Sequence, residues 1–270
     1  MAKPRILYDN ILRNTGAIIT ASSSAVGFPV SNLYDYRATS FWKSDVVTSP
    51  IDIDIDLGAS GADDADTLGL LNGDLLAIGA TVQVFADSFT PPTTSRLAAG
   101  APSSDDAAAL RTFTAPGNLR YWRVRIAHAA PPFSAAPFLG ELFLGLRLEL
   151  SEYMDPSFDP YMRQVGASSE HSEGGHYLGA VLRGQQHRES IRFGEAGAAR
   201  SAAFDTFIHD HAMRMRPFLF QLDADDASDF ARTYYLVKKA DADIPRRAVG
   251  GTWLRSNPDL AFTEAYSEAP

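Results

Sequence analysis

Two groups of side chains in this sequence have types and spacings that could bind a metal ion. The first is Asp52, Asp54 and Asp56, which alternate with isoleucine inside 51–57. Their carboxylates therefore share one face of a predicted strand, about 7 Å apart. Calcium loops instead reverse the chain so that several oxygens converge. The pattern favours a solvated strand face, with calcium binding as the alternative.

The second group is His209 and His211, which flank Asp210, with His171 and His176 elsewhere in the chain. Residues two apart point to different sides of a helix, so one ion is poorly placed to reach both histidines. His211 falls on the apolar stripe of the predicted helix, which favours a core or interface position over metal ligation. The chain has no cysteine, which excludes disulfides, thiolate zinc sites and cysteine nucleophiles.

Catalytic motifs are absent from the sequence. It contains no Gly-x-Ser-x-Gly elbow, phosphate-binding loop, dinucleotide fingerprint or zincin helix. Carboxylates are numerous, but no pair stands out as an acid/base couple for cleaving a glycosidic bond. We therefore predict no enzyme activity, no catalytic residue, no metal and no cofactor. A glycan-degrading enzyme remains a third class of function.

Aromatic and basic residues in predicted loops are the better candidates for binding. Trp42 and Trp122 could stack on a sugar ring, although for Trp42 a core position is favoured. Tyrosine, phenylalanine and arginine in loops are equally typical of ligand sites and of protein interfaces. The predicted ligand or partner residues are Tyr34, Tyr36, Arg37, Phe89 and Arg96.

Composition restricts the possible partners. The chain of 270 residues is 45% hydrophobic and 21% charged, with a net charge of −9, and both halves are acidic. This argues against general affinity for nucleic acid or anionic lipid, which clustered lysine and arginine would supply. No apolar run reaches the roughly 18–20 residues of a membrane span. The N-terminal residues lack an apolar core of signal-peptide length, so we predict neither secretion by that route nor membrane insertion.

The elements that must position these residues are mostly short strands. Alternating or apolar runs predict strands in the first half, with Gly/Pro turns between them, which indicates a sandwich or barrel. These runs are 51–57, 67–71, 81–86, 120–126 and 139–148. Residues 87–106 are predicted to form one long loop. Two Asp-Pro turn signals place a domain boundary at 151–160.

The second half mixes element types. Residues 176–182 and 189–193 are predicted to be two strands joined by a turn at 183–186, and 218–222 and 232–238 two more strands. Residues 199–214 have helical spacing of apolar side chains, and Pro217 ends this helix. The acidic stretch 223–229 is read as a solvated turn. If the domain forms a ring, these acids would instead line a lumen through which DNA passes.

The first half resembles the discoidin, or coagulation factor type C, family. The resemblance rests on five segments in order: Asn32–Asp35, Thr39–Ser44, Ile53–Gly58, Arg120–Ile126 and Gly140–Gly145. It implies a galactose-binding-like jelly roll over residues 1–150, used as a non-catalytic platform whose loops bind sugars, lipid headgroups or proteins. No sugar-binding triad can be matched residue by residue, so sugar recognition is not implied.

The second half is similar to the split β-barrel with one flanking α-helix of phage tail-tube and distal-tail proteins. The similarity lies in Arg188–Phe193, the Phe204/Phe207 helix and Pro217–Asp223. It implies a mostly β protein with a barrel-like domain over 151–270 and a helix at about 199–214. Better-known members of that family carry the barrel before the sandwich.

Together the two resemblances imply a structural protein of a siphophage tail tip or baseplate. Such a protein is made in the host cytoplasm and located in the virion. Its implied partners are itself, as a homo-oligomeric and by family resemblance hexameric ring, other tail-tube and baseplate proteins, and a host surface glycan. No specific nucleic acid is implied. The alternative function is a carbohydrate-binding, lectin-like protein without catalysis.

Overall fold

The computed structural model describes residues 4–37, 39–59, 61–101, 108–149, 163–171, 173, 177–191, 203–204, 206–221, 233–238 and 260–264. The chain divides into two compact units. The larger comprises Arg5–Glu149 and Leu219–Tyr234, and the smaller comprises Met1–Pro4, Leu150–Phe218 and Tyr235–Pro270. The predicted boundary at 151–160 lies outside the described residues.

The larger unit is a β-sandwich. Its strands are β1 (Arg5–Leu7), β2 (Ile18–Ala21), β3 (Trp42–Lys43), β4 (Ile51–Asp56), β5 (Thr67–Gly73), β6 (Ala80–Asp87), β7 (Ser95–Gly100), β8 (Ala108–Thr112), β9 (Tyr121–His128), β10 (Phe138–Gly145) and β11 (Leu148–Glu149). A five-stranded sheet has the order β2-β4-β9-β6-β7, and a four-stranded sheet has the order β3-β10-β5-β8. Neighbouring strands in both sheets are antiparallel.

Alternating burial along the strands makes one core between these two sheets. Strand β4 buries its isoleucines and leaves its aspartates partly exposed, and β9 alternates in the same way. A period of two puts successive side chains on opposite faces, so the sequence pattern alone selects the inner face. The core includes Ile53, Trp122 and Val124 from one sheet and Leu70 and Leu142 from the other. The predicted mostly β fold and the predicted sandwich are confirmed.

A third, short group of strands lies within the larger unit. Strand β1 pairs with β11 on one side and, on the other, with β14 (Phe218–Gln221). Leu7 and Leu219 are fully buried. A side-chain carbon on Gly69 would lie 2.3 Å from Leu219 Cδ1 and 3.1 Å from Leu7 Cδ2, so the glycine permits the close approach of these leucines to β5.

The prediction of one long loop over 87–106 was wrong. Strand β7 occupies Ser95–Gly100 and pairs with β6 at the edge of the five-stranded sheet. Only Leu97 of this strand is buried, because an edge strand of small residues packs few side chains. The sequence therefore carries almost no apolar alternation there, and its small residues resemble a loop.

Four strands are described in the smaller unit. Strand β12 (Arg163–His171) pairs with β13 (Tyr177–Ile191), β13 pairs with β16 (Leu260–Glu264), and β16 pairs with β15 (Thr233–Lys238). The predicted turn at 183–186 was wrong, because β13 runs through it in one strand. Gly184 pairs there with Gly166, so the glycine lies within a ladder and makes no turn.

Helical turns occupy part of the predicted helix. A π-helix spans Phe207–His211 and a 3-10 helix spans Ala212–Arg214. Phe207, Ile208 and His211 are buried, which confirms the predicted apolar stripe. No helix in the described part of the chain is long and apolar enough to cross a membrane. The closed split barrel stays a prediction.

Candidate functional site

Among the described residues, four connections leave the sandwich at one end, which we call the loop end. Strand β4 begins at Ile51 opposite Ile126, and β6 begins at Ala80 opposite His128. The connections are 22–29, 44–50, 73–79 and 129–137. Backbone hydrogen bonds tie them together: Ala25 N–H donates to the carbonyl of Lys43 at 2.8 Å, and Phe133 N–H to that of Val47 at 2.8 Å.

The tips of the loop end expose aliphatic side chains. Val26 is 100% exposed, and three more aliphatic residues on two other connections are between 37% and 40% exposed: Val46, Val47 and Leu76. Single exposed apolar residues are ordinary, but a group on adjoining loops is typical of an interaction surface.

Three partly exposed phenylalanine rings form an aromatic strip beside these tips. The strip consists of Phe28, Phe41 and Phe138. The ring centroids of Phe28 and Phe41 are 4.7 Å apart in a stacked arrangement, and those of Phe41 and Phe138 are 5.4 Å apart. Trp42, next in the chain, is fully buried and donates its indole N–H to Ser24 Oγ at 2.9 Å. Its predicted core position is confirmed.

Charged and hydroxyl groups border the aromatic strip. Phe138 is the register partner of Lys43 on β3, and its N–H donates to Asp74 Oδ1 at 2.9 Å. Burial raises the pKa of the Asp74 carboxyl, and the bond from Phe138 and the nearby charge of Lys43 oppose that shift. Ser23 donates to the exposed Asp45 carboxylate. The loop end therefore combines aromatic faces with fixed donors and acceptors.

The predicted residues Tyr34, Tyr36 and Arg37 lie in one segment beside strand β10. Tyr34 ends a 3-10 helix at Val30–Tyr34, and Tyr36 and Arg37 follow it. Tyr36 has a φ of 65°, and its N–H donates to Glu141 Oε1 at 3.0 Å. The guanidinium carbon of Arg13 lies 3.7 Å from the centroid of the Tyr36 ring.

Phe89 and Arg96 lie at the opposite end of the five-stranded sheet. They follow the end of β6, where Asp87 pairs with Tyr121. Phe89 is 54% exposed, whereas Arg96 donates to the carbonyl of Ala86 at 3.0 Å. The structure thus separates these two predicted residues from the loop end, and the ligand role of all five stays a prediction.

Glu141 is not among the candidates predicted from the sequence, although an acid within an apolar strand is a recognisable feature of the sequence. Glu141 is the one acid in the otherwise apolar strand β10 and is fully buried. Its Oε2 atom has no hydrogen-bond partner. Desolvation raises the pKa of Glu141 to about 8. A charged residue inside an apolar strand is uncommon without a specific role, and that rarity could have identified it.

The candidate metal groups do not assemble in the described part of the chain. Arg125, Arg123 and Arg120 each form a two-point ion pair with one of Asp52, Asp54 and Asp56, at nitrogen–oxygen distances from 2.5 to 3.0 Å. We call this set the arginine–aspartate ladder.

The histidines also have other contacts. His209 Nδ1 lies 3.2 Å from Met213 Sδ, and His211 Nε2 lies 2.8 Å from the carbonyl of Pro217. His211 is buried, which confirms its predicted core position. No cluster of three metal-ligating side chains is found among the residues that the structure describes. The acidic stretch 223–229 lies outside them.

Comparison with solved structures finds similar carbohydrate-binding modules. A chitosan-binding module from a chitosanase/glucanase of Paenibacillus sp. IK-5 is 25% identical, over 51% of this chain and 98% of the module, with a TM-score of 0.39. CpGH89CBM32-6 from Clostridium perfringens is 13% identical, over 50% and 98%, with a TM-score of 0.40. The CBM32 of AlyQ, in complex with 4,5-unsaturated mannuronic acid, is 18% identical, over 51% and 96%, at 0.39.

No protein-family model and no curated protein matches the chain. The structural matches cover about half of it, with TM-scores below 0.5. The evidence for the sandwich is therefore the pairing of its two sheets, and the evidence for the candidate site is the geometry of the residues at the loop end.

Proposed function

We propose that this chain is a non-catalytic glycan-binding protein that holds its ligand at the loop end. The observation that carries the proposal is the aromatic strip of Phe28, Phe41 and Phe138, with Lys43 and Asp74 at its border. A sugar ring presents an apolar face of C–H groups and a rim of hydroxyls. Aromatic rings complement the face, and charged donors and acceptors complement the rim.

Binding without turnover fits the carboxylates of this site. Asp74 accepts the Phe138 N–H at 2.9 Å, and Asp45 accepts from Ser23 and lies in an exposed position. Cleavage of a glycosidic bond needs two carboxyl groups that face each other across the bond, one of them with a raised pKa. Burial does raise the pKa of Asp74, but each of these two carboxylates has an internal partner that fixes it as part of a binding surface.

Calorimetry with the full chain tests this proposal. The first probes are chitosan fragments and 4,5-unsaturated mannuronic acid, after the ligands named for the similar modules. We expect Phe41→Ala to weaken binding by about tenfold, because it removes one aromatic face. Asp74→Asn is expected to weaken it less, because an amide still accepts hydrogen bonds. A melting curve of each variant shows that it is folded.

Phe89→Ala is the matched control, since Phe89 is an exposed aromatic residue at the opposite end of the same sheet. If Phe89→Ala abolishes binding and Phe41→Ala does not, the ligand site lies at the end of the sheet that carries Phe89. A glycan array on which the wild-type chain binds nothing would refute glycan recognition.

A second candidate function is the structural role in a tail tip. The exposed aliphatic tips Val26, Val46, Val47 and Leu76 favour it, because aliphatic side chains suit a protein interface better than a sugar. Ring formation, tail-tube and baseplate partners, and location in the virion are part of this candidate. Negative-stain imaging with solution mass across a concentration series tests it. Closed rings would support it, and a monomer that also fails to bind tail-tube proteins would refute it.

A further inference from the structure

Glu141 is the most deeply buried acid among the described residues. Its side chain comes from β10, and its Oε1 accepts the Tyr36 N–H at 3.0 Å. The Oε2 atom has no hydrogen-bond partner. An ionised carboxylate in this position leaves a buried oxygen without a hydrogen bond, which is costly. The protonated form avoids most of that cost.

The charged groups that face Glu141 come from two elements. Arg13 ends the 3-10 helix Ile11–Arg13, donates to the carbonyl of Tyr34 and stacks on Tyr36. Asp35 lies in the segment that follows Tyr34. Its charge raises the pKa of Glu141, whereas that of Arg13 lowers it. Strand β10 pairs with β5 and β3. Strand β5 has no charged residue, and Lys43 of β3 lies opposite Phe138, not opposite Glu141.

The 3-10 helix that carries Arg13 is anchored to β10 through Asn10. Asn10 caps the 3-10 helix, accepting the Leu12 N–H at 3.2 Å, and donates its amide to the carbonyl of Leu142 at 2.8 Å. Asn10 is buried. The backbone of this helix is therefore fixed to β10, whereas the Arg13 side chain contacts Tyr34 and Tyr36.

The same segment leads directly to the aromatic strip. Asp35 accepts the Arg37 N–H at 2.8 Å and the Ser40 hydroxyl at 2.7 Å. Asn32 donates its amide to the carbonyl of Phe41 at 2.9 Å. The bond between Asp35 and Ser40 links the residue before Tyr36 to the residue before Phe41, which lies in the strip. We expect a displacement of Tyr36 to reach Phe41 through these bonds.

We propose that protonated Glu141 holds residues 35–37 against β10, and that loss of this proton releases them and weakens glycan binding at the aromatic strip. The inference rests on the proposed function, since it concerns regulation of that same site. Glu141 acts as a positioning residue, because it touches Tyr36 and does not belong to the strip.

The direction of the effect follows from proton linkage. With the segment docked, the pKa of Glu141 is raised to about 8, from 4.5 in an exposed carboxyl. Docking is therefore strongest below pH 4.5 and weakens as pH rises towards 8. Between pH 7 and pH 9 we expect the glycan affinity to fall by about tenfold, the change that one pKa unit represents.

The first experiment needs no ligand. The amide resonance of Tyr36 is followed by NMR in the full chain from pH 5 to pH 9, with a chelator to keep divalent cations off the carboxylates. We expect this amide to titrate in the wild type and to lose its titration in Glu141→Gln, whose neutral amide keeps the acceptor for Tyr36. Glu149→Gln, in the ion pair with Arg5, is the control and is expected to titrate like the wild type.

The second experiment repeats the glycan calorimetry at pH 7 and pH 9. Weaker binding at pH 9 in the wild type, with constant affinity in Glu141→Gln, is the expected result. An equal loss in both chains, or a Tyr36 amide that does not titrate, would overturn the coupling. If Tyr36 titrates but no glycan binds at either pH, the proposed glycan binding is wrong, and the coupling to it is wrong as well. The titration would then show that Glu141 acts on Tyr36 and that the error lies in the proposed ligand.

Discussion

At the scale of single residues, we expect Glu141 to couple the stability of the sandwich to pH. Its pKa is raised to about 8 in the folded chain from 4.5. A raised carboxyl pKa contributes stability that is complete below the unfolded value and is lost as pH rises to the folded one. The free energy of unfolding should therefore decline between about pH 4.5 and pH 8.

Glu141→Gln tests this link. Because the amide has no proton to lose, the variant should match the wild type near pH 4.5. Above pH 8 it should be more stable, by up to about 4 kcal/mol. Urea unfolding at a series of pH values measures the difference. A variant that is less stable than the wild type at pH 9 would show that Glu141 is ionised and compensated in the folded chain.

Single residues also show where sequence reasoning stops. The alternation of 51–57 predicted the exposed aspartates Asp52, Asp54 and Asp56. It did not predict that each carboxylate meets an arginine of β9, because register between strands 60 or more residues apart depends on tertiary pairing. Glu141 likewise appears in the sequence as one polar residue in a strand, and its burial comes from the segment folded over it.

At the scale of elements, the arginine–aspartate ladder fixes the register of β4 against β9. Arg123 contacts both Asp54, at 2.5 Å, and Asp52, at 3.2 Å. Its side chain is 15% exposed, whereas that of Asp54 is 42% exposed. Opposite charges directly across two strands stabilise a sheet, and a slip by one residue would place arginines beside isoleucines.

Arg123→Met should cost about 1 kcal/mol of unfolding free energy, the order expected for partly exposed ion pairs after screening by solvent. The double-mutant cycle with Asp54→Asn isolates the pair, and its coupling energy should fall in high salt. A coupling energy of zero at low salt would mean that the ladder contributes register alone. Arg96→Met, which removes a more distant pair of 4.0 Å with Asp87 together with a hydrogen bond to the Ala86 carbonyl, is the comparison variant.

Predicted elements succeeded where side-chain alternation was strong and failed where it was weak. Strands β4, β6 and β9 were predicted within about two residues, because their inner faces are aliphatic or aromatic. Strand β7 was predicted as loop because its small residues bury only Leu97. In β13 a glycine suggested a turn, but a partner strand satisfied its backbone. Pairing therefore decided elements that local pattern left undetermined.

At the scale of the whole molecule, residues far apart in the chain complete the larger unit. Leu219 of β14 is fully buried and lies against β5, where Gly69 leaves room for it. Leu219 lies 150 residues after Gly69 in the sequence, well inside the second half of the chain. The division at about residue 150 stays a prediction, and the larger unit adds Leu219–Tyr234 to the first half.

Leu219→Ala should lower the free energy of unfolding by roughly 2–5 kcal/mol, since it opens a cavity between β1 and β5. A fragment of residues 1–150 should be destabilised in a similar way, and a peptide of residues 217–222 added to it should restore part of the loss. Chemical denaturation with and without the peptide measures this. A fragment as stable as the full chain's sandwich would contradict the role of β14. Leu76→Ala, at an exposed tip, is the control and should change stability little.

The sequence by itself determined the mostly β class, the strands with alternating residues, the inner faces of the sandwich and the core position of Trp42. Each of these depends on local periodicity and on the hydrophobic effect, which act on neighbouring residues. Tertiary structure alone decided the pairing of arginines with aspartates, the aromatic strip, the buried carboxyl of Glu141 and the insertion of β1 beside β14. These depend on contacts between distant segments, and no pattern within one segment records which other segment will lie against it.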